Sequence, residues 1–142
     1  MGTKQGYKAT TKLVSSYAWD TMIKFIQIKK SDYDSNSLEG NYLDTTFVYK
    51  DIKGNEQTKN KDESILVPTG QTTSICNIYD VGGNLWEYTT ENFTQHDTNI
   101  FVYRGGDFND GSYEIYSAGC RYNNKGDAND SISFRIALYC AL

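Results

Sequence analysis

Few residues in this chain are of the kinds that break bonds. Its 142 residues include three cysteines, Cys76, Cys120 and Cys140, and one histidine, His96. Cysteines this scattered suit neither a disulfide scaffold nor a zinc cluster; they fit one bridge with a free thiol, or three buried thiols acting as small apolar groups. Asp107, Asp110 and Glu114 are close enough in sequence for general acid–base work, but acids in a loop of Gly and Asn stay solvated. No Ser/His/Asp order and no phosphate-cradling glycine loop is recognisable, and His96 lies in a polar stretch where exposure is expected. The residue types argue against catalysis.

They argue better for recognition. The 25 residues from Asp107 to Ser131 include four Asn, four Asp, three Ser and three Tyr, with Gly and Ala making up much of the remainder. Tyr supplies rigid amphipathic contact area at low entropic cost, and Ser, Asn and Gly supply adaptable hydrogen bonds, so this is the composition of a binding surface. Arg121 adds an anchor of the type that dominates interfaces. A net charge of -4 argues against the basic face of a nucleic-acid binder. Lysines do gather at Lys24, Lys29 and Lys30, and again at Lys50, Lys53, Lys59 and Lys61, but acids are mixed among them and both groups are expected to be solvated faces.

Elements to position such a surface can be read on both sides of it. Ser15 and Ser16 are candidate N-caps, Asp20 is placed for a first turn, and Trp19, Met22, Ile23 and Ile26 recur at helical spacing, which predicts an amphipathic helix over Tyr17 to Lys29. Residues 31–61 are polar and predicted to be loop, apart from a short strand at Thr46–Tyr49 and a turn at Lys53–Asn55. After Pro68 the signals turn to β: Asn77–Tyr79 and Leu85–Tyr88 around a Gly82-Gly83-Asn84 turn, Ile100–Tyr103, and a central strand over Ile132–Cys140. Gly82, Gly83 and Asn84 accept positive φ and so return Trp86 to the core; Arg135, in an apolar run, must find carboxylate or carbonyl partners. One α+β domain over 1–142 follows, with no apolar run long enough to span a membrane and no charged-then-apolar leader at the N-terminus. The chain is expected to be made without a signal or to be the C-terminal part of a longer protein.

Four stretches in order, Trp19-Asp20, Asn77-Ile-Tyr-Asp-Val-Gly-Gly-Asn-Leu-Trp-Glu87, Arg104-Gly105-Gly106 and Ser133-Phe134-Arg135, resemble the formylglycine-generating enzyme (sulfatase-modifying factor) branch of the C-type lectin fold. The resemblance covers residues 13 to 142. It implies a loop-rich domain with one main helix and a small antiparallel sheet. It also implies a calcium site, in which the side chain of Asp80, the carbonyls of Gly83 and Leu85, and Glu87 supply the oxygen ligands that a hard cation takes. The alternative role for these acids is capping of backbone amides or pairing with an arginine.

The oxidising members of the family carry two copper-binding cysteines shortly after Arg-Gly-Gly, whereas here Asp107 to Ile115 contains none. Variable proteins of diversity-generating retroelements also resemble this branch and place their randomised residues between the Arg-Gly-Gly and Phe-Arg strands. On that resemblance Asp107, Asn109, Asp110, Ser112, Tyr113, Ile115, Tyr116, Tyr122, Asn123 and Asn129 are the expected exposed, variable positions. The function implied is non-catalytic binding of a protein or glycan on a cell surface, by a domain of a phage tail or bacterial surface, with no nucleic acid and no membrane insertion. Two alternatives stand beside it: an oxidase of the formylglycine-generating type or related metalloenzyme, and a structural assembly module of a virion.

Overall fold

A computed structural model describes residues 9–33, 39–70, 77–111, 120–123, 126 and 128–140. The elements run β1 (Ala9–Leu13), α1 (Ser16–Lys29), β2 (Phe47–Lys50), β3 (Glu56–Lys59), β4 (Trp86–Gln95), β5 (Thr98–Arg104), β6 (Cys120–Asn123), β7 (Ile132–Phe134) and β8 (Ile136–Cys140). This is an α+β arrangement.

Helix α1 begins where the sequence places it. Ser15 is the N-cap, its hydroxyl accepting from Ala18 N at 3.1 Å, and Lys30 N closes the last turn on Ile26 O at 2.8 Å. Because the helix starts at Ser16, Asp20 falls beyond the first turn, and its carboxylate faces Arg104 at 3.8 Å instead. Trp19, Ile23 and Ile26 are buried and form the core with Val14, Tyr33 and Val81. Among the described residues no helix is long and apolar enough to cross a membrane.

The main sheet has the order β6-β5-β4-β7, antiparallel except for the parallel pair β4/β7. Two smaller pairs stand apart from it: the hairpin β2/β3 and the ribbon β1/β8, which joins Ala9 to Cys140. β2 is the predicted short strand and Gly54 (φ 84°) lies in the turn after it, but β3 was expected to be loop. Asn77–Tyr79 forms no strand; Asn77 and Asp80 adopt positive φ (64° and 54°), which a continuous strand does not accommodate. The expected central strand over Ile132–Cys140 is broken at Arg135 and is not central: β7 is a sheet edge and β8 pairs only with β1. Phe134, Ile136 and Leu138 are accordingly exposed, so a run of apolar residues misled on burial.

Lys59, expected on a solvated face, is fully buried. Its ammonium donates to the carbonyls of Tyr42 (2.6 Å) and Thr45 (2.8 Å) and sits over the Phe47 ring. Three donors on one flexible stem let a lysine gather the carbonyls of a turn that folds back on itself. Burial pushes its pKa down, against the opposing pull of Glu63, Asp44 and Asp62.

Candidate functional site

The turn before β4 is held by backbone that few residues can adopt. Gly83 (φ 68°) and Asn84 (φ 67°) are both left-handed, and a Cβ on Gly83 would lie 2.4 Å from Asn41 O, so only glycine fits. Asn84 then ties three segments together. Its Oδ1 accepts from Asn41 Nδ2 (2.9 Å) and Val67 N (3.1 Å), its Nδ2 donates to Val67 O (3.1 Å), and its carbonyl accepts from Phe108 N (3.2 Å). Trp86 is thereby returned to the interior, where it is 4 % exposed.

Glu87, the next acid along, is buried against Arg135. The guanidinium makes a two-pronged contact, Nε to Oε2 and Nη2 to Oε1, both at 2.8 Å, and Nη2 also reaches the carbonyls of Tyr79 (2.9 Å) and Asp80 (3.2 Å). Burial raises the Glu87 pKa and nearby Asp80 adds to this, while Arg135 opposes both. Arg135 has found the carboxylate and carbonyl partners that its place in the sequence required.

The four residues expected to hold calcium do converge. Asp80, Gly83, Leu85 and Glu87 line one hollow of about 340 Å³, together with Arg135. Several of their oxygens already have partners: both Glu87 oxygens face the guanidinium, Asp80 Oδ2 accepts from Gly70 N, and Gly83 O accepts from Leu85 N at 2.9 Å. A guanidinium bound by a carboxylate and two carbonyls already supplies positive charge beside these oxygens.

Beyond β5, Gly105 (φ 102°) packs under Trp19 and its carbonyl accepts from Gly83 N (2.9 Å) and the Tyr42 hydroxyl (2.8 Å). Burial drives the Tyr42 pKa far upward. Asp107, expected to be exposed and variable, is buried instead. Its Oδ1 accepts from Asn109 N (2.8 Å) and Asp110 N (3.1 Å), while Asp110 Oδ2 accepts from Asp107 N (2.9 Å). A short carboxylate that satisfies two backbone amides turns inward, which composition alone does not reveal.

Asp110 is half-buried, and its carbonyl accepts from Leu43 N at 3.0 Å. Asn109 is exposed and takes a hydrogen bond from the Ser64 hydroxyl. Asn129 is exposed too, its Oδ1 accepting from Ser131 N (2.8 Å) and Oγ (2.7 Å). Arg121, Tyr122 and Asn123 lie on β6 opposite Tyr103, Val102 and Phe101, with their side chains outside the description. Ser112, Tyr113, Glu114, Ile115 and Tyr116 lie outside the described residues, as does Cys76. His96 is exposed at the tip between β4 and β5. Among the described residues no group of three His, Cys, Asp or Glu converges as a metal site.

Sequence reasoning missed Asn41 and Lys59, both fully buried supports of this region. Their segment is polar, and each goes inside because particular groups await it: Ile65 O and Asn84 Oδ1 for the Asn41 amide, and the carbonyls of Tyr42 and Thr45 for the Lys59 ammonium.

The sulfatase-modifying factor enzyme 1-like domain matches residues 5–139 of the chain. The crystal structure of CarF superposes with a TM-score of 0.62 at 18% identity, over 90% of this chain and 46% of that one; this chain therefore spans about half the length of CarF. No curated protein matches.

Proposed function

The chain belongs to the sulfatase-modifying factor enzyme 1-like domain family, and we propose that it is a non-catalytic, ligand-binding member with a C-type lectin-like fold. Its binding surface is the segment 107–131, presented to a protein or glycan on a cell surface. In this reading it is the variable protein of a diversity-generating retroelement, borne on a phage tail or a bacterial surface.

The observation that carries the reading is the way the start of the segment is fastened. Phe108 N bonds to Asn84 O and Asp110 O to Leu43 N, and Asp107 and Asp110 cap each other, so Asn109 is offered to solvent from a fixed frame. A binding site needs this kind of rigid support beneath adaptable polar side chains. Asp107 moves from the list of contact residues to the frame. Asn109 and Asn129 remain contact candidates on exposure, and Ser112, Tyr113, Ile115, Tyr116, Arg121, Tyr122 and Asn123 remain so on sequence. Asp107 to Gly111 holds no thiol where the family's copper ligands would stand, which favours binding over oxidation.

The test is genetic and direct. The neighbouring DNA should hold a near-copy of the codons for 107–131 that differs mainly at adenines, beside a reverse transcriptase. A locus with neither feature, or oxidation of a cysteine-containing peptide by the copper-loaded protein, would defeat the reading.

A further inference from the structure

Two hollows adjoin away from the Glu87–Arg135 pair, sharing no lining residue with its pocket, one of about 500 Å³ and one of about 580 Å³. Ser15 and Thr90 belong to both, so they form one trough crossing the β1–α1 junction. A β-bulge shapes it. The β4/β5 register slips between Tyr88 and Asn92, and Thr90 N, released from the ladder, bonds to Val14 O at 3.0 Å. Bulges re-aim side chains in this way. Here the result is that Thr90, Glu91 and Asn92 all line the trough.

The charges in the trough are paired before any ligand arrives. Arg104 lies 3.1 Å from Glu91 and 3.8 Å from Asp20, and Glu91 also takes the Ser16 hydroxyl. With Lys12 at the other end, the lining has two basic and two acidic groups. A phosphate would meet Asp20 and Glu91, and a metal ion would meet Arg104; neither class is favoured. The ends carry aromatics instead. Tyr17, 87% exposed, lines one hollow and Tyr139, 46% exposed, the other, and both carry an apolar ring with a polar tip.

We infer that this trough is a second binding site, for a neutral oligosaccharide. Tyrosine faces take the C–H faces of sugar rings. The carboxylates of Asp20 and Glu91, held in place by Arg104 and Ser16, accept from sugar hydroxyls, while the guanidinium and the Asn92 amide donate. The volume suits a few sugar rings. The site shares no residue with segment 107–131 and stands independently of that segment's role.

Saturation-transfer NMR and calorimetry with chitotriose, maltotriose and mannotriose at millimolar concentration test this, with a heparin-derived trisaccharide and the peptide Gly-Tyr-Gly as competitors. At least one neutral trisaccharide binds saturably, and Tyr17→Ala and Asp20→Asn each weaken it roughly tenfold or more. Ile52→Ser, a change at a 90% exposed apolar residue elsewhere, leaves it unaltered. Unchanged thermal midpoints show that the variants fold. The inference is overturned by no saturable binding of any of the three, by preference for the sulfated fragment or the peptide, or by binding that ignores both substitutions.

Discussion

Arg135 grips Glu87 with two parallel hydrogen bonds of 2.8 Å while its Nη2 also collects the carbonyls of Tyr79 and Asp80. The last motif of the chain is thereby fastened to the turn some fifty residues earlier. Removing the guanidinium leaves a buried carboxylate without its cation, so Arg135→Ala should cost about 2–4 kcal/mol by chemical denaturation. The double change Arg135→Met with Glu87→Leu should cost less than either single change, because no charge is then left unpaired.

The same pair sets an expectation for calcium. The wild-type thermal midpoint should not move between chelator and millimolar calcium, since the guanidinium occupies the donors of Glu87. Arg135→Ala frees Glu87 and should regain part of its lost stability when calcium is added. A wild-type midpoint that rises with calcium would mean that the ion displaces the arginine.

Gly83 and Gly54 should respond differently to alanine. Both have positive φ, 68° and 84°, but a Cβ at Gly54 meets nothing within 4 Å, whereas one at Gly83 would collide with Asn41 backbone. Gly54→Ala should cost about 1 kcal/mol from strain alone, and Gly83→Ala well above 3 kcal/mol or loss of soluble protein. Equal effects in a denaturation series would contradict the close approach.

Lys59→Met preserves much of the buried stem but takes the ammonium away from the carbonyl of Thr45 and leaves that of Tyr42 only its contacts with Thr45. A loss of about 1–3 kcal/mol is expected. Amide exchange should quicken first around Leu43, whose N–H bonds to Asp110, and so report loosening under the proposed binding segment.

Glu91 gives the expected acid response. The Ser16 hydroxyl chiefly, with help from Arg104, holds its carboxyl below the usual range. A folded pKa below the unfolded one means stability that is present above the ordinary carboxylate pKa and lost as pH falls through the lower folded value. The stability gap between wild type and Ser16→Ala should therefore be full at neutral pH and shrink in acid, and carboxyl NMR should show the Glu91 midpoint rising in the variant. The effect is small, because Glu91 is 41% exposed.

Residues whose type dictates a local conformation were legible in the sequence. Ser15 marks the helix start, Gly83 and Asn84 mark the turn, and Arg135 advertises its need for partners. Burial of polar residues was not legible. Asp107, Asn41 and Lys59 go inside because particular backbone amides and carbonyls, brought from distant segments, await them. The run Ile132–Cys140 failed in the opposite sense: its apolar composition suggests a central strand, but the path of the neighbouring chain decides that, among the described strands, β8 pairs with β1 alone.

The β1/β8 ribbon also sets a timetable. Ala9 pairs with Cys140, so β1 is made before, and its partner β8 after, all the other described elements. β1 must wait unpaired while the chain between it and β8 is made, its threonines and Lys12 a less adhesive edge than an apolar strand would offer. Among the described strand pairs this ribbon has the greatest loop to close, and its closing is the step on which the folding rate should most depend.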